Sequence, residues 1–224
     1  MKKAYEQGNS ALMRRGVSDI IEKDSENTQK IYGKKLVAIV SSTGGPRALQ
    51  QVIPKLPKNL DAPVLVVQHM PEGFTNTLSI RLNQLSAIEV EEASDGVLVE
   101  AGHVYIAKGG KHMVLESKKS KVRLKLDDSE PVVGLKPCGN NMFESLCDMP
   151  YDEIICVVLT GMGADGTKGI KTLSKHKNIY VIAQDKKSST VYGMPKAVYE
   201  SHIADKVCDI KDIADEIVKK VGVR

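Results

Sequence analysis

Three short apolar runs, each followed at once by a residue suited to catalysis, constrain this chain most. Leu36–Val40 leads into a cluster of hydroxyl residues and glycines that contains Ser42, and a second aliphatic run leads directly into His69. The third run, Ile154–Leu159, is followed by a glycine-rich turn that contains Asp165. Such runs, bounded by glycine or proline, are typical of buried strands. Because the carboxyl ends of neighbouring parallel strands line one crevice, these three remote residues can share one site.

The rest of the pattern from Lys35 onward predicts an α/β fold. Strand-like runs alternate with helix-length segments, which indicates βαβ units and a mostly parallel, doubly wound, Rossmann-like sheet with helices on both faces. Shorter β-rich runs between about 89 and 126, separated by glycines, predict antiparallel β-hairpins that extend or flank the sheet. Helices are predicted at about 46–53, 74–85, 139–149, 167–175, 194–201 and 210–221.

The domain organisation follows from length and composition. The chain has 224 residues, of which 42% are apolar, which suits one domain with a sizeable core. We expect that domain to span residues 35–224. Residues 1–34 are polar and too short for a second domain, and we expect a linker or a peripheral helix there.

Composition also excludes several classes of protein. The net charge of +4 is too small to argue for a nucleic-acid partner, and no stretch is long and apolar enough for a membrane span or a signal peptide. The four cysteines form no C-x-x-C pair, so we expect reduced thiols rather than disulfides or a zinc site. The expectation is a cytoplasmic protein without a metal, a cofactor or membrane insertion.

Ser42 is the candidate nucleophile. Its hydroxyl needs a neighbouring base to take its proton, and the two glycines after it permit a tight turn that exposes the side chain. The alternative is that this loop caps the following helix or binds phosphate. The G-x-S-x-G motif is absent because Val40 stands where its first glycine would be. No Walker lysine follows the glycines, which makes a nucleotide-binding loop a weak third possibility.

His69 is the candidate base and Asp165 the candidate residue that orients it. Each also has an ordinary structural explanation, since a single histidine is often structural and an aspartate after glycines often caps a helix. The chain order Ser-His-Asp differs from the orders in α/β-hydrolases, chymotrypsin and subtilisin. A triad here would therefore belong to another family.

Four sequence blocks identify that family. They are Ser42–Gly45, the segment Gln-His-Met-Pro-Glu-Gly-Phe at 68–74, the segment Leu-Thr-Gly-Met-Gly-Ala-Asp-Gly at 159–166, and Gly193-Met194-Pro195. In this order they resemble the signature blocks of the catalytic domain of the chemotaxis methylesterase CheB, over about Lys35 to Arg224. The resemblance implies hydrolysis of glutamyl γ-methyl esters on chemoreceptors, with release of methanol, and extends to deamidation of receptor glutamines.

The resemblance also implies roles and partners. Ser42 would be the nucleophile, His69 the general base and Asp165 its orienter. The backbone N–H of Met162, together with the N–H or hydroxyl of Thr43, would hold the oxyanion. The implied partners are the cytoplasmic methylated helices of chemoreceptors, with a separate receiver protein as a further candidate.

The chain departs from the family pattern at three places, of which the first two support a second hypothesis and the third bears on regulation. Val40 replaces a glycine of the first block, where it is expected to crowd the turn or the approach of substrate. The segment Lys136–Asn141 replaces one resembling Arg-Pro-Ser-Val-Asp, which weakens the case for substrate binding. Residues 1–34 cannot hold the receiver domain that family members commonly carry. The alternative function is a receptor-binding relative with little or no turnover.

A basic run in the predicted hairpin region has two interpretations. A solvated face is the simpler one, and a docking surface for acidic receptor segments is the other. The run consists of Lys108, Lys111, Lys118, Lys119, Lys121, Arg123 and Lys125.

Overall fold

A computed structural model of the protein describes residues 33–119 and 121–224. The predicted linker or peripheral helix at 1–34 therefore falls, except for its last two residues, outside the described residues.

The described chain is built on one parallel sheet of seven strands. The strand order is β3-β4-β2-β1-β7-β8-β9, and every neighbouring pair is parallel. Two further strands form a separate antiparallel hairpin. The strands are β1 (Lys35–Ser41), β2 (Val64–Gln68), β3 (Glu89–Glu92), β4 (His103–Ile106), β5 (His112–Lys118), β6 (Lys121–Asp127), β7 (Glu153–Val158), β8 (Asn178–Gln184) and β9 (Lys206–Cys208).

Six helices in the described residues cover the sheet. They are α1 (Gly45–Val52), α2 (Phe74–Leu85), α3 (Gly139–Ser145), α4 (Thr167–Leu173), α5 (Met194–Glu200) and α6 (Ile210–Val221). A single 3-10 turn at Ile53–Lys55 extends α1. Both faces of the sheet are buried, which explains why the central strands read as continuous apolar runs rather than as alternating ones.

Alternation along β1 separates two apolar layers. Leu36, Ala38 and Val40 point to one face, where they join the apolar residues of α3, α4, α5 and the β5–β6 hairpin. Val37 and Ile39 point to the other face, toward α1, α2 and α6. The candidate active site lies at the end of the first of these layers, where it meets the second.

The winding of the chain reverses between β1 and β7, which are neighbours in the sheet. Their register pairs Val40 with Val158. The helix that follows β1 packs on one face, whereas the helix that follows β7 packs on the other. Loops that diverge to opposite faces open a crevice at the carboxyl edge of the sheet, where open α/β folds place their ligands.

The architecture confirms the predicted α/β class, with a parallel sheet, helices on both faces and one antiparallel hairpin. Two details of the middle region were wrong. The runs at 89–93 and 104–107 are parallel strands of the main sheet rather than parts of hairpins. The run at 97–99 forms no strand, although Leu98 makes an isolated bridge to Arg123.

The edge strand β9 was not predicted. It contains only three residues, Lys206-Val207-Cys208, which is too short for a periodic pattern to stand out. Several helices end a few residues before their predicted ends; α3, for example, ends at Ser145 rather than at Met149. Among the described residues no helix is long and apolar enough to cross a membrane.

Candidate active site

Ser42 lies directly after the last residue of β1, in the crevice between β1 and its two neighbours. Its backbone N–H donates to the carbonyl oxygen of Thr160 at 3.0 Å, and its carbonyl oxygen accepts from the N–H of Gly45 at 2.8 Å. Gly44 has φ of +83°, a conformation that glycine adopts without a steric penalty. The two glycines thus allow the chain to turn sharply from strand to helix while Ser42 stays partly accessible.

Gln68, the last residue of β2, ties the two strand ends together. It is buried, and its side-chain oxygen accepts from the Ser41 hydroxyl at 2.7 Å. Its side-chain nitrogen donates to the carbonyl oxygens of Ser42 and His69, both at 3.0 Å. Sequence reasoning assigned Gln68 no role. The available signal in the sequence was a glutamine at the end of an apolar run, directly before His69.

His69 and Asp165 form a close pair. The Nε2 atom of His69 lies 2.7 Å from Oδ2 of Asp165, and both side chains are largely buried. The two residues come from strands that are not adjacent, since β1 lies between β2 and β7. The glycine-rich turn after β7 therefore reaches across the end of β1 to bring the carboxylate to the imidazole.

Both carboxylate oxygens of Asp165 accept several hydrogen bonds. In addition to His69, Oδ2 accepts from the N–H of Gly139 at 2.6 Å. The other oxygen, Oδ1, accepts from the N–H of Asn140 at 3.0 Å and from the thiol of Cys138 at 3.2 Å. Asp165 thus sits at the N-terminus of α3, where backbone N–H groups favour a negative charge.

These contacts keep Asp165 ionised. Burial, the largest effect, by itself raises the pKa of the carboxyl group, but the hydrogen bonds from His69, Gly139, Cys138 and Asn140 outweigh it. The pKa of Asp165 is therefore held below its ordinary value. An ionised, fully bonded carboxylate fixes the position of the imidazole and favours its protonated form.

Cys138 is not a competing nucleophile. Burial, followed by the charge of Asp165, raises the pKa of its thiol to about 12. The reactive form of a cysteine is the thiolate, which a pKa this high excludes near neutral pH. Its thiol acts here as a hydrogen-bond donor to the carboxylate.

Asn140 stabilises the turn that carries Asp165 through hydrogen bonds. Its side-chain oxygen accepts from the N–H of Gly169 at 2.8 Å and of Gly166 at 3.1 Å, while its own N–H bonds Asp165. The segment Lys136–Asn141 had been expected to bear on substrate binding. In the structure, Lys136 instead pairs with Asp128 at 3.0 Å, and Asn140 holds the loop that carries the carboxylate.

Val40, which was expected to crowd the turn or the approach of substrate, lies beneath the crevice and not at its opening. Its side chain is fully buried, in the layer beneath the Asp165 turn. A Cβ atom at Gly139 would lie 2.6 Å from one of its methyl carbons, and a Cβ at Gly166 would lie 2.9 Å from the other. The two facing glycines therefore provide the space that the valine fills.

The structure does not join the predicted nucleophile to the His69–Asp165 pair. Within residues 33–119 and 121–224, no hydrogen bond links the Ser42 hydroxyl to another side chain, although Ser42 and His69 follow adjacent parallel strands in register. Catalytic hydrogen bonds are often long in a ligand-free enzyme and tighten when substrate binds. The arrangement places Ser42 and the oriented His69 at the ends of adjacent strands.

Thr43 and Met162 follow the ends of β1 and β7 and are exposed, Met162 with 75% of its residue surface accessible. The backbone N–H groups of both residues make no hydrogen bond to any part of the chain that the structure describes. The carbonyl oxygen of Thr43 accepts from the Thr160 hydroxyl at 2.9 Å, which fixes the loop. Backbone N–H groups without a partner in the described residues are available to an anion, and the oxyanion role of these two stays a prediction.

No group of three or more His, Cys, Asp or Glu side chains within the described ranges is placed to hold a metal ion. On the β5–β6 hairpin, Lys125 pairs with Glu116 at 2.7 Å and Arg123 donates to the carbonyl oxygen of Gly96 at 2.6 Å. The Glu116 carboxylate neutralises one charge of the basic run, and the docking role of the run stays a prediction.

Comparison with known proteins supports the family that the sequence blocks indicate. Residues 37–217 match the family model described as CheB methylesterase. Proteins named protein-glutamate methylesterase/protein-glutamine glutaminase from Bacillus licheniformis and Bacillus subtilis are 48% and 46% identical to the chain. These alignments cover 87% and 84% of the chain but 54% and 53% of the two proteins, so the chain spans about half the length of the curated relatives it matches.

A solved structure has the same fold. The crystal structure of the Thermotoga maritima CheB methylesterase catalytic domain superposes with a TM-score of 0.80 at 42% sequence identity. The match covers 84% of this chain and 99% of that domain.

Proposed function

The chain belongs to the CheB methylesterase family, and we propose that it is a serine hydrolase that removes methyl groups from glutamyl γ-methyl esters of chemoreceptors. The observation that carries this proposal is the 2.7 Å contact between Nε2 of His69 and Oδ2 of Asp165. His69 follows β2, and Ser42 follows the neighbouring strand β1. We place its action in the cytoplasm, on the methylated helices of receptors, as part of chemotactic signalling. A separate receiver protein is a candidate regulatory partner.

In the proposed reaction, Ser42 attacks the ester carbonyl. Because Nε2 of His69 is bonded to Asp165, its other ring nitrogen, Nδ1, is the one available to take the proton from the Ser42 hydroxyl. The carboxylate of Asp165 holds the tautomer with the proton on Nε2 and stabilises the imidazolium that forms.

The negative charge that develops on the ester oxygen needs donors at the rim of the crevice. The N–H groups of Thr43 and Met162, which lack partners among the described residues, are suited to this role. Donors that are fixed before the reaction stabilise an oxyanion without reorganisation. The protonated His69 then returns its proton to the methoxide oxygen, and methanol leaves the acyl-enzyme.

Hydrolysis of the acyl-enzyme reverses these roles. His69 takes a proton from water, the hydroxide attacks the acyl carbon, and Ser42 leaves with the proton that His69 returns. The products are methanol and a glutamate carboxylate. An acyl-enzyme of the same kind forms from a glutamine side chain with release of ammonia, in keeping with the second half of the relatives' names, and we include deamidation in the proposal.

The alternative function, a receptor-binding relative with little turnover, has less support. It rested on Val40 and on the segment Lys136–Asn141. Val40 is buried beneath the site rather than in it, and Asn140 contributes two hydrogen bonds that hold the Asp165 turn. Both departures are thus compatible with an intact site.

The test is methanol release from methylated receptor membranes by the unmodified protein and by Ser42→Ala. We expect release to fall by at least about a thousandfold in Ser42→Ala, since the remaining groups cannot form the acyl-enzyme. Ser174→Ala, a serine at the end of α4 and remote from the crevice, is the matched control and should retain full activity. An unmodified protein that binds receptor but releases no methanol would favour the alternative function.

A further inference from the structure

A polar cleft of about 240 Å³ opens beside the Ser42 loop, on the side of the sheet covered by α1 and α6. Gly44 and Thr160 form part of its wall. Both adjoin the proposed nucleophile, since Gly44 is two residues after Ser42 and the carbonyl oxygen of Thr160 accepts the Ser42 N–H at 3.0 Å. The cleft is thus a second compartment of the same crevice, on the far side of the loop from Asp165.

Most of the cleft wall is already saturated with hydrogen bonds. The Ser188 hydroxyl donates to Asp185 at 2.6 Å, and the Gln184 side chain accepts the N–H of Thr160 at 2.8 Å. Three lining groups, in contrast, have no hydrogen-bond or ion-pair partner in the described part of the chain. They are the Arg47 guanidinium, the Gln51 amide and the Thr190 hydroxyl.

The free groups define the chemistry of a ligand. Arg47 is the charged residue of the lining, and no Asp or Glu side chain lines the cleft with it. A guanidinium presents a planar fork of N–H donors that matches a carboxylate. The amide of Gln51 and the hydroxyl of Thr190 add donors that a carboxylate oxygen can accept.

The size of the cleft limits the ligand further. Pockets for small molecules and cofactors measure roughly 300–1,000 Å³. A cleft of about 240 Å³ lies below this range and accommodates one carboxylate side chain.

We propose that the cleft is a subsite for an acidic side chain of the substrate segment, bound by Arg47, while the methyl ester of the same segment lies at Ser42. The inference rests on the proposed function. On a helical substrate, residues three or four positions apart share one face, so the acidic residue is expected three or four positions from the ester. Arg47 would then be a specificity residue that selects which glutamyl ester is hydrolysed.

The experiment uses helical peptides with one glutamyl γ-methyl ester. One set carries a glutamate three or four residues before or after the ester, the second carries glutamine there, and the third carries lysine. Steady-state methanol release gives kcat and KM for the unmodified protein, Arg47→Gln and Arg47→Glu. The matched control is Arg81→Glu, which reverses an exposed arginine on α2 that does not line the cleft.

For the unmodified protein we expect kcat/KM to be about three- to tenfold higher with glutamate than with glutamine at one of these positions, mostly through KM. This is the range for a partly exposed charge-assisted contact. Arg47→Gln should remove the preference, and Arg47→Glu should transfer it to the lysine peptide. Arg81→Glu should preserve the preference for glutamate.

Other outcomes separate the two proposals. Equal kcat/KM for the glutamate and glutamine peptides, or a preference unchanged in Arg47→Glu, overturns the subsite while methanol release still supports the esterase. Absence of methanol release from every peptide and from methylated receptor membranes overturns the esterase and the subsite together. Free acetate, a carboxylate that competes for the same cleft, should reduce the preference for the glutamate peptide and leave kcat/KM on the glutamine peptide unchanged; a preference that stays constant at saturating acetate counts against the subsite.

Discussion

The two sides of the crevice differ in how completely their polar groups are bonded. On the carboxylate side, both oxygens of Asp165 accept hydrogen bonds from His69, Gly139, Asn140 and Cys138. On the nucleophile side, the hydroxyl of Ser42 and the N–H groups of Thr43 and Met162 have no partner in the described residues. One side is complete without substrate, and the other is complete only with it.

This difference matches the tasks proposed for the two sides. A base must hold its tautomer and orientation before the reaction, so its partners are built into the fold. A nucleophile and an oxyanion site must meet the substrate, so their donors stay free. The prediction that follows is an asymmetry: changes on the carboxylate side should affect pH dependence and stability as well as turnover, whereas changes on the nucleophile side should affect turnover alone.

The largest effect on the carboxylate side is expected from Asp165→Asn. The amide removes the charge that stabilises the imidazolium, and its NH2 group cannot accept the bonds that both carboxylate oxygens now accept. We expect kcat to fall by about 10³- to 10⁴-fold, with KM nearly unchanged. Steady-state methanol release measures both quantities, and a loss below tenfold would exclude the proposed role of Asp165.

The same variant tests the electrostatics of the site. Because the pKa of Asp165 in the folded protein is lowered, its ionised form adds stability above the unfolded pKa of about 4. This contribution is lost as the pH falls through the folded pKa. Asp165→Asn should therefore be less stable than the unmodified protein at pH 7, and the difference should narrow below about pH 4. Urea unfolding across this pH range measures it, and Ser42→Ala should show no such trend.

An intermediate effect is expected at Asn140. In Asn140→Asp, the new carboxylate can still accept the N–H groups of Gly166 and Gly169, so the turn is kept. It also adds a negative charge beside the His69–Asp165 pair, which makes protons harder to remove from the pair. We expect the acid limb of the kcat/KM profile to move to higher pH, with an activity loss of about tenfold at pH 6 and less at pH 8.

Asn140→Ala is the matched comparison for this prediction. It leaves the Gly166 and Gly169 N–H groups without their acceptor and should reduce kcat and stability without moving the acid limb. Identical pH profiles for Asn140→Asp and the unmodified protein would show that Asn140 holds the fold without influencing the pair.

Much of this asymmetry could not be predicted from the sequence. The strand ends that carry Ser42, His69 and Asp165 were predictable because each follows an aliphatic run, and the α/β class follows from the same runs. Apart from His69, the donors to Asp165 lie 25 to 27 residues before it, at the start of a helix whose packing partner the sequence pattern does not indicate. Only the packing of α3 against the turn after β7 reveals them.

The parallel pairing of β3 was unpredictable for a related reason. Its residues, Glu-Val-Glu-Glu, alternate as a half-exposed edge strand does, and such a pattern suits a hairpin equally well. Its partner β4 is separated from it by ten residues without regular structure, so chain proximity suggested a hairpin. Tertiary packing decided between two arrangements that local sequence could not distinguish.

The smallest effect on turnover is expected at Val40, where the two functional hypotheses differ in the sign of their predictions. If the valine suppressed activity by crowding the turn, Val40→Gly would raise methanol release greatly. In the structure its methyl groups fill the space left by Gly139 and Gly166, beneath the carboxylate side of the crevice. Removing them leaves a cavity there and a more flexible strand end. We expect a loss of about 1–3 kcal/mol in the free energy of unfolding for Val40→Ala and a larger loss for Val40→Gly.

Activity in both variants should fall severalfold at most, since Asp165 keeps its hydrogen bonds while its support loosens. Urea unfolding and methanol release on the same preparations test this pair of expectations. Val97→Ala, a partly buried valine that packs against the same layer, controls for a general loss of stability. A large gain of activity in Val40→Gly would mean that the packing of Val40 beneath the Asp165 turn limits turnover. A small loss would mean that this packing stabilises the carboxylate side of the crevice. The glycines at 139 and 166 would then be the reason that the chain can carry a valine at position 40.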